Sequence, residues 1–126
     1  MGDGSRYPKG FEVTSYIYTF IREDLPEAQK IVQIGHACFE AGKRFDNSNH
    51  VSSLVLLSAK DEDDLKYIAE KIDRRGLEFY MFYEPDFGPM GYTAICTRPI
   101  INKADQNFFR RWNLYRSPVD SMTVSS

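Results

Sequence analysis

The chain has 126 residues, 42% of them hydrophobic and 27% charged, with a formal net charge of −2. That is one domain's worth of sequence, apolar enough to build a core without disulfides or metal, and it excludes global disorder. No apolar run approaches the roughly 20 residues of a membrane-spanning helix, the N-terminus lacks the pattern of a secretory signal, and the charge balance excludes a chain coated in basic residues.

Residues 1–14, punctuated by glycine, serine and proline, read as a flexible leader, and residues 117–126 as a polar tail. Residues 15–116 read as a single α/β domain without an internal repeat or linker. Residues 15–22 (SYIYTFIR) are β-branched and aromatic with no Gly or Pro, which predicts a strand. A helix start follows, with Asp24 as N-cap, Pro26 in the first turn and Glu27 closing a capping box. That helix is expected to stop near Gly42 and to bury Ile31, Ile34, Cys38 and Ala41.

Residues 53–59 (SLVLLSA) form a nearly continuous apolar run, expected as a strand covered on both faces. Asp61, Glu62, Asp63 and Asp64 open the next helix, where negative charge favours the dipole's positive end. Leu65, Ile68, Ala69 and Ile72 supply its apolar stripe, and Lys71, Arg74 and Arg75 its basic end before Gly76. Residues 77–83 and 92–97 read as two strands joined by a Pro/Gly-rich turn, and 104–115 as a last helix with Phe108, Phe109 and Trp112 on one side. Helix–strand alternation closing in a hairpin predicts one mixed sheet between helices. The aromatics Phe79, Tyr80, Phe82 and Tyr83 are expected to pack the sheet, with exposed alternate members free to stack on a base. Cys38 and Cys96 read as small core residues in a reducing compartment.

One stretch carries more information. Arg22-Glu23-Asp24-Leu25 ends the first strand, and Gln33-Ile34-Gly35-His36-Ala37 follows in the helix. Near the other end Glu84-Pro85-Asp86-Phe87-Gly88 precedes Thr93-Ala94-Ile95-Cys96-Thr97-Arg98-Pro99. An R-x-D-L strand end, a Q-x-x-H-A helix, an acidic turn and a Thr-led apolar strand, in that order, resemble the archaeal/eukaryotic-type (type two) peptidyl-tRNA hydrolase family, in a compact branch such as occurs in bacteria and their phages. The resemblance covers about residues 15–100. It departs at the helix start, where the family's Gly/Lys-rich M-G-K-G-K is replaced by Pro26-Glu27-Ala28-Gln29-Lys30, with Lys30 as its only lysine.

The resemblance implies a four-stranded mixed sheet flanked by helices on both faces. It also implies a cytoplasmic hydrolase, acting without metal or organic cofactor, that cleaves the ester joining a peptidyl or aminoacyl group to tRNA. A homodimer is a further expectation, with the aromatic last helix as its interface. The chemistry needs an activated water, a stabilised oxyanion and a held tRNA end. His36 is the candidate base, Glu84 and Asp86 its carboxylate partners, and Thr93 the hydrogen-bonding group for the ester. Arg22 and Asp24 sit at a strand's carboxyl end, where α/β sheets bind ligands, with Gln33 and Lys30 on the following helix. Arg110 and Arg111, in a stretch where five cations face only Asp105, are candidates for phosphate contact, although as helix neighbours they diverge by about 100°. A second possibility from the same residues is a catalytically silent member of the fold that binds a nucleotide, a nucleic acid or a protein partner.

Overall fold

The computed structural model describes residues 15–45, 51–86 and 90–116; the expected leader and tail lie outside them. Four strands and three helices alternate as β1 (Tyr16–Arg22), α1 (Glu27–Arg44), β2 (Ser53–Ala59), α2 (Glu62–Arg74), β3 (Phe79–Glu84), β4 (Gly91–Thr97) and α3 (Lys103–Phe108). A 3-10 turn, Phe109–Arg111, continues α3. The sheet has the order β2-β1-β4-β3. β2 runs parallel to β1, and β4 is antiparallel to both β1 and β3, so the α/β mixed sheet expected from the sequence is present.

Alternation along β1 splits the core into two layers. Tyr18 and Phe20 face α2 and α3, joined by Leu65, Ile68, Ile72, Ile95, Phe108 and Phe109. Ile21 faces α1 with Ala37, Ala41, Ala94 and Cys96. Helices therefore cover both faces.

Several expectations are corrected. Pro26 is the N-cap of α1 and no side chain caps it, because Asp24 is engaged by Arg22 instead. The helix runs past Gly42 to Arg44. Its buried face is Lys30, Gln33, Ala37 and Ala41, while Ile31 is 66% exposed. β2 is an edge strand with Leu54 exposed, not a strand covered on both faces. Part of its outer side is occupied by the returning chain, through a bridge from Leu57 to Leu114 and a bond from the Tyr115 N–H to the Leu56 carbonyl. The last helix ends at Phe108, and Phe108 and Phe109 are buried in the core, which removes them as an exposed dimer interface. α2 buries the expected stripe of Leu65, Ile68, Ala69 and Ile72, and of the acidic residues at its start Asp61 is the N-cap, accepting from the Asp64 N–H.

Candidate functional site at the carboxyl rim of the sheet

The carboxyl ends of β1, β2 and β3, the start of β4 and the first turns of α1 and α2 lie at one end of the sheet, as the register requires. At this rim a bulge sets the first geometry. Phe82 pairs with Ala94 and Tyr83 with Tyr92, leaving Thr93 as an extra residue in β4. The bulge turns Thr93 towards α1, the side that Ala94 already faces. Its hydroxyl donates to Gln33 Oε1 at 2.7 Å. Gln33 Nε2 in turn donates to Glu84 Oε1 at 2.7 Å and to Gln29 Oε1 at 3.3 Å. The second oxygen of Glu84 accepts from the Asp86 N–H at 2.9 Å.

Gln33 and Thr93 are fully buried and Glu84 is 2% exposed. A carboxylate so enclosed persists only with its lone pairs occupied. The Gln33 amide, acting against the cost of burial, holds Glu84 below the usual carboxylate range, with the Asp86 N–H and the nearby His36 adding to the effect.

His36 lies one turn further along α1 and is exposed. Its ring lies flat on Phe82, with centroids 4.8 Å apart and planes parallel. Two residues back along β3, the Arg44 guanidinium covers the Tyr80 ring at 4.5 Å. The seam between α1 and β3 thus carries two nitrogen-rich groups on alternate aromatics. Asp86 is exposed at the end of the same seam.

The Arg22 fork is occupied. Nε and Nη2 grip Asp24 at 2.9 and 2.8 Å, and Nη1 donates to the carbonyls of Met90 and Tyr92. Asp24 is held below the usual carboxylate range chiefly by the Arg22 hydrogen bonds. Between those carbonyls Gly91 has φ +72°, and a Cβ there would collide with the Glu62 carboxylate, which accepts from the Tyr92 N–H. Arg22 therefore ties β1 to the start of β4 and has little donor capacity left for a phosphate. Lys30 is likewise engaged, donating to the Tyr115 hydroxyl at 3.1 Å beside Glu27.

The rim thus brings together Arg22, Asp24, Gln33, Glu84, Asp86 and Thr93, with His36 adjoining them. Arg110 and Arg111 belong to the other face, and they diverge: Arg110 borders a groove, whereas Arg111 folds onto Phe108 and donates to its carbonyl. Sequence reasoning places Phe82 and Tyr80 in the sheet but misses what covers them, His36 over Phe82 and Arg44 over Tyr80; the alternation of β3 puts both rings on one face, which is the available signal. Deeper under α1, Thr19 Oγ1 lies 3.7 Å from both the Cys38 and Cys96 sulfurs. The neighbouring Cys96 thiol makes Cys38 the acidic member, lowered to about 6, and Cys96 is pushed up.

This architecture defines a class, the α/β domains with a four-stranded mixed sheet between helices. Among the solved structures that share it is the protein of unknown function Atu0240 from Agrobacterium tumefaciens strain C58, with a TM-score of 0.59 and 10% identity over 83% of this chain and 100% of that one. The likeness is one of fold alone. No protein-family model and no curated protein matches the chain. No helix among the described residues is long and apolar enough to cross a membrane.

Proposed function

We propose that the chain is a cytoplasmic hydrolase of the ester that links a peptidyl or aminoacyl group to the terminal ribose of tRNA. The observation that carries this reading is an exposed imidazole beside a buried, ionised carboxylate whose position is locked from two other elements. An imidazole exchanges its proton at cellular pH, so His36 takes one from a water as that water attacks the ester carbonyl carbon. The carbonyl π electrons move to oxygen. Collapse of the tetrahedral species breaks the bond to the ribose oxygen, which takes the proton back from the imidazolium. The products are a free acyl carboxyl group and a tRNA with its hydroxyl restored.

Glu84 stays ionised beside His36, held so chiefly by the Gln33 amide, with the Asp86 N–H and the nearby imidazole adding to the effect. With their hydrogen-bonding groups engaged, Gln33 and Thr93 are positioning residues, as is Arg22. Arg44 and the Phe82 edge stand where a tRNA end would pass along the α1–β3 seam. The test is peptide release from purified peptidyl-tRNA by the parent and by His36→Ala, compared side by side.

A second reading has its own support. Glu23, Asp24, Glu27, Asp61, Asp63 and Asp86 are all exposed around the rim, and a polyanion is repelled there. A catalytically silent protein whose rim meets a basic protein partner fits that charge. It predicts no release by the parent chain and binding that weakens with salt.

A further inference from the structure

The face opposite His36 holds a groove of about 620 Å³ over β1 and β2, closed on its other side by α3 and the 3-10 turn. Its size is that of small-ligand sites. Tyr16, Tyr18 and Trp112 present aromatic surface in it, and Lys103 and Arg110 stand at its border. No acidic side chain lines it, and neither cation makes an ion pair among the described residues.

Tyr18 adds a hydroxyl to the lining of this groove. Tyr18 is only 7% exposed, its ring stacked on Phe109 at 4.0 Å, and its hydroxyl, which makes no hydrogen bond among the described residues, keeps solvent access where the residue lines the groove. The Arg110 charge is close enough to act on this hydroxyl, which burial and Tyr16 push above the usual tyrosine range.

Two cations outside any ion pair among the described residues, a solvent-accessible phenol hydroxyl and a wall of aromatic rings in one groove define a complement: a planar aromatic group bearing a phosphate. We propose that this groove binds a nucleoside monophosphate, with the base against Tyr16 and Trp112 and the phosphate held by Arg110, Lys103 and the Tyr18 hydroxyl. Arginine and lysine supply charge-assisted bonds to phosphate oxygens, and the aromatic surface supplies stacking that tolerates any base. The site is independent of the ester chemistry, since a layer of sheet separates it from His36.

Trp112 is the chain's single tryptophan, so its fluorescence reports occupancy directly. Titration of the full chain with AMP is expected to change that fluorescence saturably. Adenosine alone and inorganic phosphate alone are expected to bind at least about tenfold more weakly, because each uses half of the site. Arg110→Gln, an exposed substitution, is expected to weaken AMP by about tenfold with an unchanged circular dichroism spectrum. Tyr18→Phe is expected to weaken it a few-fold without lowering the melting temperature, because the hydroxyl it removes makes no hydrogen bond among the described residues. His36→Ala is expected to bind AMP as the parent does, which keeps this result separate from the outcome of the hydrolysis assay. Absence of a saturable AMP response overturns the proposal. So does AMP binding that Arg110→Gln leaves unaltered, adenosine binding as tightly as AMP, or a response to single-stranded oligoadenylate without one to AMP.

Discussion

Gln33 of α1 and Glu84 of β3 lie 51 residues apart in sequence and are joined by a 2.7 Å hydrogen bond inside the protein. Thr93 approaches the same glutamine from β4, so a single side chain ties three elements together at the rim. A hydrogen bond to a charged group contributes about 1.5–3 kcal/mol, and removing one partner exposes the desolvation cost of the other.

Gln33→Leu is therefore expected to lower unfolding stability by about 1.5–3 kcal/mol or more, since it strands both the Glu84 carboxylate and the Thr93 hydroxyl. Thr93→Val, which deprives only a neutral amide oxygen of its donor, is expected to cost about 1–3 kcal/mol. The two losses should add to more than the double variant shows, because the residues share one network. Urea unfolding of the four proteins of this cycle measures the coupling.

The lowered Glu84 carboxyl has a defined consequence for pH. Its proton affinity is weaker in the folded chain than in the unfolded one, so the unfolded state binds more protons in acid. The stabilisation is present above the unfolded carboxylate range, near pH 4.3, and is lost as pH falls through the lower folded value. Melting temperatures recorded from pH 7 down to pH 3 should fall for the parent. Glu84→Gln should start lower and lose less over that interval.

Arg22→Lys keeps the charge and loses the fork. A lysine ammonium cannot grip Asp24 through two parallel bonds while also donating to the Met90 and Tyr92 carbonyls. A loss of about 1.5–3 kcal/mol is expected, read as a lower urea midpoint at an unchanged slope. If Arg22 acts by positioning, hydrolysis by this variant should return towards the parent rate as temperature is reduced and the folded fraction recovers.

The two thiols should react unequally. Cys38 is half-buried and the acidic member of its pair, whereas Cys96 is buried with its thiol pushed up. Iodoacetamide at pH 7 on the native chain is expected to alkylate Cys38 first, located by peptide mass analysis, with Cys96 following only on unfolding.

How much of this was legible beforehand depended on the range over which each residue finds its partner. The α2 stripe rests on neighbours three or four positions away, and the sequence displays it directly. The buried face of α1 did not show, because Lys30 and Gln33 are polar and much of what satisfies them in the interior comes from Tyr115, Glu84 and Thr93, which are remote in sequence. Asp24 satisfied every local rule for a cap, but Arg22 offered it a bidentate charged partner that a backbone N–H does not match. Thr93 was expected to bond the ester, and its engagement with Gln33 did not show because a bulge is a property of two strands together. His36 was visible through its spacing from Gln33, while the aromatic platform beneath it needed the packing of α1 on β3.

The most direct test of the hydrolase reading is single-turnover peptide release from purified peptidyl-tRNA, with parent, His36→Ala and Glu84→Gln proteins matched for folded fraction. The expected result is release by the parent, a loss of about a hundredfold or more in His36→Ala, and a smaller loss in Glu84→Gln. Equal rates in parent and His36→Ala, or no release by the parent, would contradict the assignment of ester cleavage to this rim.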